Sequence, residues 1–199
     1  MGRIKSALEI ALERTESVKT DKASIGLYEA KQQGKRLANA FLAGSTDSAH
    51  SFEDELKKAP AEMRESLKQG IFDVLISQIN LPLTPDDEQR IAAVGKGLQM
   101  IINNNHFSAM YKQFMQLLSQ YLNESSQYEQ AIRQQYAPKL RQKEEELSRR
   151  MGREVRIDPF QDPEFVAFYN QHMNALKGNY QTAVDQVRTE ATRLWEERG

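Results

Sequence analysis

The chain has 199 residues, 27 Lys and Arg against 28 Asp and Glu, three His and no Cys. Its apolar share of 39% is below the common ~45–50%, yet over this length it is enough for a core, so wholesale disorder is excluded. The lack of Cys excludes a disulfide scaffold, Cys-ligated zinc, iron–sulfur clusters and thiol catalysis, and a net charge of −1 gives no overall pull toward nucleic acid or anionic membrane.

Helical spacing dominates from the start. Ile4, Ala7, Leu8, Ala11, Leu12 and Val18 follow the i, i+3, i+4, i+7 rule and predict a helix over 3–18. The polar stretch Lys19 to Ser24 breaks this pattern, and a second helix is expected over 24–43 with Ile25, Tyr28, Leu37, Phe41 and Leu42 on one side. Gly44-Ser45-Thr46-Asp47-Ser48 reads as a linker, followed by a short helix over Phe52–Lys58. Pro60 suits the first position of the next helix, which Met63, Leu67, Ile71, Val74 and Leu75 carry to about Ile79. Thr84-Pro85-Asp86-Asp87 is a helix start: a Thr cap, Pro at the first position and acids at the positive end. Gly95 and Gly97 inside that helix mark either a close neighbour or a weak spot.

After Asn103-Asn104-Asn105, Phe107, Met110, Tyr111, Phe114, Leu117, Leu118, Tyr121 and Leu122 form a broad apolar face. Beyond Ser125 it narrows to Tyr128, Ile132, Tyr136, Leu140, Leu147 and Met151. Pro138 should kink or interrupt this helix, and Gly152 should end it. Arg153–Asp162 is a connector in which Val155-Arg156-Ile157 alternates like a short strand. Asp162 caps a last helix of about 35 residues, through Phe165, Tyr169, His172, Leu176, Tyr180, Ala183, Val187, Leu194 and Trp195. An antiparallel hairpin of the last two helices is the economical arrangement, and its one-residue-wide stripes resemble a coiled-coil seam. The expected architecture is all-α: a compact helical bundle over 1–125 and a long coiled-coil-like hairpin over 126–199, unless the helix from Phe107 makes the two one domain.

Few side chains form a catalytic or ligating pattern. Three residues before His50, His106 and His172 stand Asp47, Asn103 and Tyr169, so no Glu-x-x-His pair exists, and no His-Glu-x-x-His stretch does. His172 is better read as a seam residue and His106 as helix-start packing. Gly95-Lys96-Gly97 lies within an apolar-periodic helix, not between a strand and a helix as a phosphate loop does. Tyr111, Phe114, Met115 and Tyr121 could line a small-molecule pocket, although ordinary core is favoured. We expect no cofactor, no metal and no enzyme motif. The one charge feature is Ser126 to Arg156, with eight basic and five acidic residues. Arg149, Arg150, Arg153 and Arg156, with Phe160, are candidate partner-binding residues at the hairpin tip. Solvated Glu145–Arg149 and Glu146–Arg150 pairs are the plainer reading, and a Phe160 folded back on the hairpin end is favoured over an exposed anchor.

Gly2-Arg3-Ile4-Lys5-Ser6-Ala7-Leu8-Glu9-Ile10-Ala11 and Gly34-Lys35-Arg36-Leu37-Ala38 resemble the start of a family of uncharacterised bacterial all-helical proteins, over about the first 45 residues. That resemblance implies no activity and no site residue. Glu9 and Glu13 interrupt any signal-peptide core, and no apolar run nears ~20 residues, so a cytoplasmic protein without membrane contact is expected. The leading expectation is a non-enzymatic interaction or assembly protein, acting as a homodimer or with another protein. Nucleic-acid or acidic-partner binding at the basic tip is the less favoured alternative.

Overall fold

The computed structural model describes residues 7–44 and 48–198, with side chains over 24–44 and 52–198. The described residues form six helices: α1 (Ala7–Leu42), α2 (Ser48–Lys58), α3 (Ala61–Ser77), α4 (Pro85–Ile102), α5 (Asn105–Met151) and α6 (Pro163–Glu197). One 3-10 turn, Pro159–Gln161, precedes α6, and there is no strand among the described residues. None of the described helices is long and apolar enough to cross a membrane. Ile4, the side chains at positions 7, 8, 11, 12 and 18, linker residues 45–47 and the His50 side chain lie outside the described residues.

Two expected breaks are absent from the described helices. The break at Lys19–Ser24 is absent, and α1 runs 36 residues without interruption. Lys, Thr, Asp and Ser end an apolar stripe but do not by themselves stop a helix, and neither Gly nor Pro stands among them. The 47-residue α5 likewise passes through Pro138 uninterrupted. Pro138 and Gln134 are both exposed, which leaves water free to satisfy the carbonyl that the proline ring deprives of a donor. Val155-Arg156-Ile157 forms no strand; the connector is held by α5, whose Ser148 hydroxyl accepts from the Val155 N–H at 2.9 Å and whose Glu144 accepts from the Ile157 N–H at 2.9 Å.

The predicted punctuation acts as caps. Asp87 accepts from the Leu83 and Thr84 N–H groups at 3.0 and 2.9 Å, while the Thr84 hydroxyl accepts from the Asp87 N–H at 3.4 Å, a reciprocal box at the start of α4. Asn103 turns the chain at φ 51°, and the Asn104 side chain accepts from the His106 and Phe107 N–H groups. Gly152 ends α5 in the left-handed conformation at φ 65°.

The helices fall into two compact units, divided within α4. The first comprises α1, α2, α3 and Ala93–Asn103. Its core is Ala38, Phe52, Leu67, Ile71, Leu75, Val94 and Leu98. Helices α1 and α3 meet backbone to backbone: a Cβ at Gly34 would collide with the Leu67 carbonyl, and one at Gly70 with the Lys31 carbonyl. Lys31 also reaches Asp73 across this contact at 2.9 Å. Gly97 is the close approach foreseen from the sequence, since a Cβ there would stand 2.8 Å from Leu75 Cδ1 and 3.2 Å from Phe41 Cε1.

The second unit comprises Ile79–Ala92 and the chain from Asn104 on. Its α5 and α6 share a series of contacts: Tyr121 with Tyr180, Tyr128 with His172 and Tyr136 with Phe165, at ring-centroid distances of 5.1, 6.2 and 5.2 Å. Ile132, Tyr136, Phe165 and Met173 form a buried cluster between them.

Candidate functional site

The connector end of the second unit is built around one buried charge. Asp162 is only 5% exposed and is the one buried polar or charged residue among the described residues. As the cap of α6 its carboxylate accepts from the Glu164 N–H at 3.0 Å, which fixes the helix start. The same carboxylate accepts from the Tyr136 hydroxyl at 3.1 Å and from Lys143 Nζ at 2.9 and 2.8 Å. Glu164 lies beside it, 2.8 Å from both Lys139 and Lys143. Lys143 thereby holds Asp162 below its ordinary range, Lys139 and Lys143 pull Glu164 down to about 2, and Asp162 and Glu164 push Lys143 up. Every member is satisfied by another, so the cluster fastens α5 to the start of α6. The sequence marked Asp162 as a cap; its lysine and tyrosine partners are 19 and 26 residues away and carried no local signal.

Of the predicted tip residues, Arg149 and Arg156 line one groove, which Arg150, Arg153 and Phe160 do not. Arg149 is 4.0 Å from Glu145 and Arg150 is 2.5 Å from Glu146, the two pairs expected on a solvated helix. Arg156 pairs with Glu154 at 3.2 Å, and Arg153 is exposed. Arg141, Ser148, Arg149, Val155 and Arg156, with Glu144, Glu145 and Glu154, line an open groove of about 610 Å³ of mixed charge. Phe160 folds back, as favoured: its ring meets Phe165 and Tyr169 edge-on at 5.3 Å each, and the Arg133 guanidinium lies 5.0 Å over it. It nonetheless stays 45% exposed.

A more apolar groove of about 670 Å³ lies between α5 and α6, with Met110, Phe114, Leu117, Ala183 and Val187 on its walls. Its carboxylate Glu190 is held below the usual range by Arg193, at 2.6 Å, and by His106, at 3.3 Å. A carboxylate so paired is poorly placed to act as a base near neutral pH. Of the four residues considered for a pocket, Tyr111, Phe114 and Tyr121 are buried and Met115 half-buried. The Tyr111 hydroxyl donates to the Ile91 carbonyl at 2.7 Å, and burial raises its pKa. These rings are core, with only Phe114 edging the groove. His172 sits in the seam as expected, 4.4 Å from the Phe168 ring, whereas His106 stands exposed at the helix start. Among the described residues no three His, Asp or Glu side chains gather as a metal site would require.

A further group of exposed apolar residues lies on α1. Nine large hydrophobic residues are exposed among the described residues, and three of them, Ile25, Leu27 and Tyr28, stand within four positions of α1. The sequence places Ile25 and Tyr28 on one side of a helix over 24–43 with Leu37, Phe41 and Leu42; in the structure both are exposed.

No curated protein matches this chain. No solved structure matches it either. A family model described as "Family of unknown function (DUF6657)" matches residues 53–193, from within α2 to within α6, a different part of the chain from the first 45 residues. The match covers well over half of the sequence and its matched region is helical, so the chain belongs to the Family of unknown function (DUF6657).

Proposed function

We propose that this protein is a non-enzymatic interaction or assembly protein that works as a homodimer. The observation that carries this reading is the concentration of exposed apolar side chains at Ile25, Leu27 and Tyr28 of α1. Scattered single exposed hydrophobics need no explanation, but Ile25 and Tyr28, three residues apart, share one side of α1, and such a pair favours burial against a partner. The α5–α6 seam, the first place to look for such a partner, supports the reading less. Its central residues Ile132, Tyr136, Phe165 and Met173 are already buried. In this proposal α5 and α6 form an antiparallel, coiled-coil-like hairpin that projects a basic tip. The order of their contacts supports this, because positions 121, 128 and 136 of α5 meet 180, 172 and 165 of α6.

Light scattering coupled to size exclusion tests the reading. At micromolar concentration the mass is twice 22.8 kDa; a strict monomer up to about 100 μM overturns it.

A second reading rests on the tip. Arg149 has a loose ion pair and is 84% exposed, which leaves it, with Arg150, Arg153, Arg156 and the half-exposed Phe160, open to an acidic partner or nucleic acid. Titration with single- and double-stranded nucleic acid then shows binding that weakens steeply with salt, and no binding at low salt removes this reading.

A further inference from the structure

The apolar stripe of α5 runs on past the start of its partner helix. Ile132, Tyr136, Phe165 and Met173 are buried between α5 and α6, and Leu140 packs against them. The start of α6 is fastened at Lys143, through Asp162 and Glu164. Beyond Lys143, α5 continues from Glu144 to Met151, a length of about 12 Å. Positions 147 and 151 follow Leu140 by seven and eleven residues, which bring a helix to within about 20° of whole turns. Leu147 and Met151 therefore prolong the same stripe, but α6 begins only at Pro163 and leaves them uncovered. Leu140 is half-buried, whereas Leu147 and Met151 are 37% and 53% exposed. The connector holds one flank of these turns, where its Val155 and Ile157 N–H groups donate to Ser148 and Glu144.

We infer that an acidic amphipathic helix of a partner protein docks on this end of α5 and continues the seam that α6 leaves open. The inference rests on the second reading above and names its partner. Two observations choose the occupant. The uncovered residues extend an existing helix–helix contact, so an apolar stripe at helical spacing fits them as α6 fits Ile132 and Tyr136. Charge selects the rest of that helix. Leu147 to Arg156 holds four arginines, Arg149, Arg150, Arg153 and Arg156, against one acid, Glu154. Arg150 stands three positions after Leu147, at the edge of the stripe. Arg153 has no ion pair among the described residues, and Arg149 has one of 4.0 Å. The pairs of Arg150 and Arg156 are highly exposed, where such pairs are weak and exchangeable. The acids Glu144, Glu145 and Glu146 lie one turn back, and Glu144 is engaged by the Ile157 N–H, so positive charge gathers at the far end. A phosphate backbone has no use for Leu147 and Met151. Phe160, the aromatic ring of the connector, already meets Phe165, Tyr169 and Arg133 instead of offering a stacking face.

The test titrates full-length protein into a fluorescein-labelled peptide of about 14 residues, with Leu at every third or fourth position and Glu and Ala between. Fluorescence anisotropy gives a Kd of about 10 μM at ~0.1 M salt. Replacing every Leu of the peptide by Ala, or every Glu by Lys, weakens binding at least about tenfold. Met151→Glu, at an exposed position that leaves the circular dichroism unchanged, does the same, and Arg153→Glu weakens binding about threefold. An acidic peptide without Leu that binds as tightly overturns the inference, and so does peptide binding indifferent to Met151→Glu. A duplex oligonucleotide that binds while the peptide does not gives this end of α5 to nucleic acid, which overturns the inference and leaves the second reading standing. Absence of binding by every anionic probe at low salt removes both. A Met151→Glu variant with half the wild-type mass puts a second copy of the chain on this face and overturns the inference as well.

Discussion

Two helix pairs in this molecule are held by opposite means. Helices α1 and α3 touch through what is missing: two glycines, each against the carbonyl of a residue three positions before the other. Helices α5 and α6 touch through what is present: tyrosine, phenylalanine and histidine rings along their length and an ion cluster at one end. In the first pair, adding one carbon matters more than its chemistry. In the second, particular atoms matter and space is secondary. The close pair is therefore all-or-none at two positions, and the long pair is graded over many.

The sharpest way to break this comparison is to add a methyl to the close pair. Gly34→Ala or Gly70→Ala costs about 3 kcal/mol in urea unfolding, despite the ~1 kcal/mol that Ala gains over Gly in helix propensity. Gly97→Ala costs less, because its obstacles are side-chain atoms of Leu75 and Phe41 that can shift. A neutral Gly70→Ala contradicts the backbone contact.

In the long pair the corresponding test removes atoms. Asp162→Ala costs about 2 kcal/mol by thermal unfolding, from a lost cap and a buried Tyr136 hydroxyl left with a poorer acceptor at 3.4 Å. Asp162→Asn costs less, since its amide oxygen still caps α6. Equal losses for the two variants show that the charge, not the cap, is what matters.

Acid sharpens the same point. Asp162 and Glu164 both titrate below their ordinary values in the folded protein, Glu164 at about 2. Each therefore binds fewer protons folded than unfolded in mild acid. The stability they contribute is fully present above about pH 4.5 and is lost as pH falls toward about 2. Unfolding midpoints measured from pH 5 to pH 2 decline, and Asp162→Asn with Glu164→Gln flattens that decline. The smallest effect is a gain. Gly178 lies in α6 with nothing near its would-be Cβ, so Gly178→Ala stabilises by up to ~1 kcal/mol in the same urea assay.

What was legible in the sequence followed the range of each interaction. The caps at Thr84, Asn104, Gly152 and Asp162 were readable because a cap and the groups it satisfies lie within a few residues. Gly97 was readable as a close approach, but not as a contact with Phe41 and Leu75. Gly34 and Gly70 gave no warning, because a glycine in a helical pattern looks the same whether it faces a backbone or water. For the candidate surfaces, the i,i+4 ion pairs of the tip were foreseen, whereas the exposed stretch on α1 was hidden by reading a polar stretch as a helix end.

The sequence by itself determined that the chain is helical, where most helices start and stop, and that α6 is a single helix of about 35 residues. These are consequences of periodicity and local hydrogen bonding. It also excluded thiol and Cys-metal chemistry outright. Only the tertiary structure decided that α1 continues through Lys19–Ser24, that α5 survives Pro138, and that Asp162 is shared by a cap, a lysine and a tyrosine. Polar residues and a surface proline weaken a helix by amounts that packing elsewhere offsets, and a buried carboxylate finds its partners across space rather than along the chain.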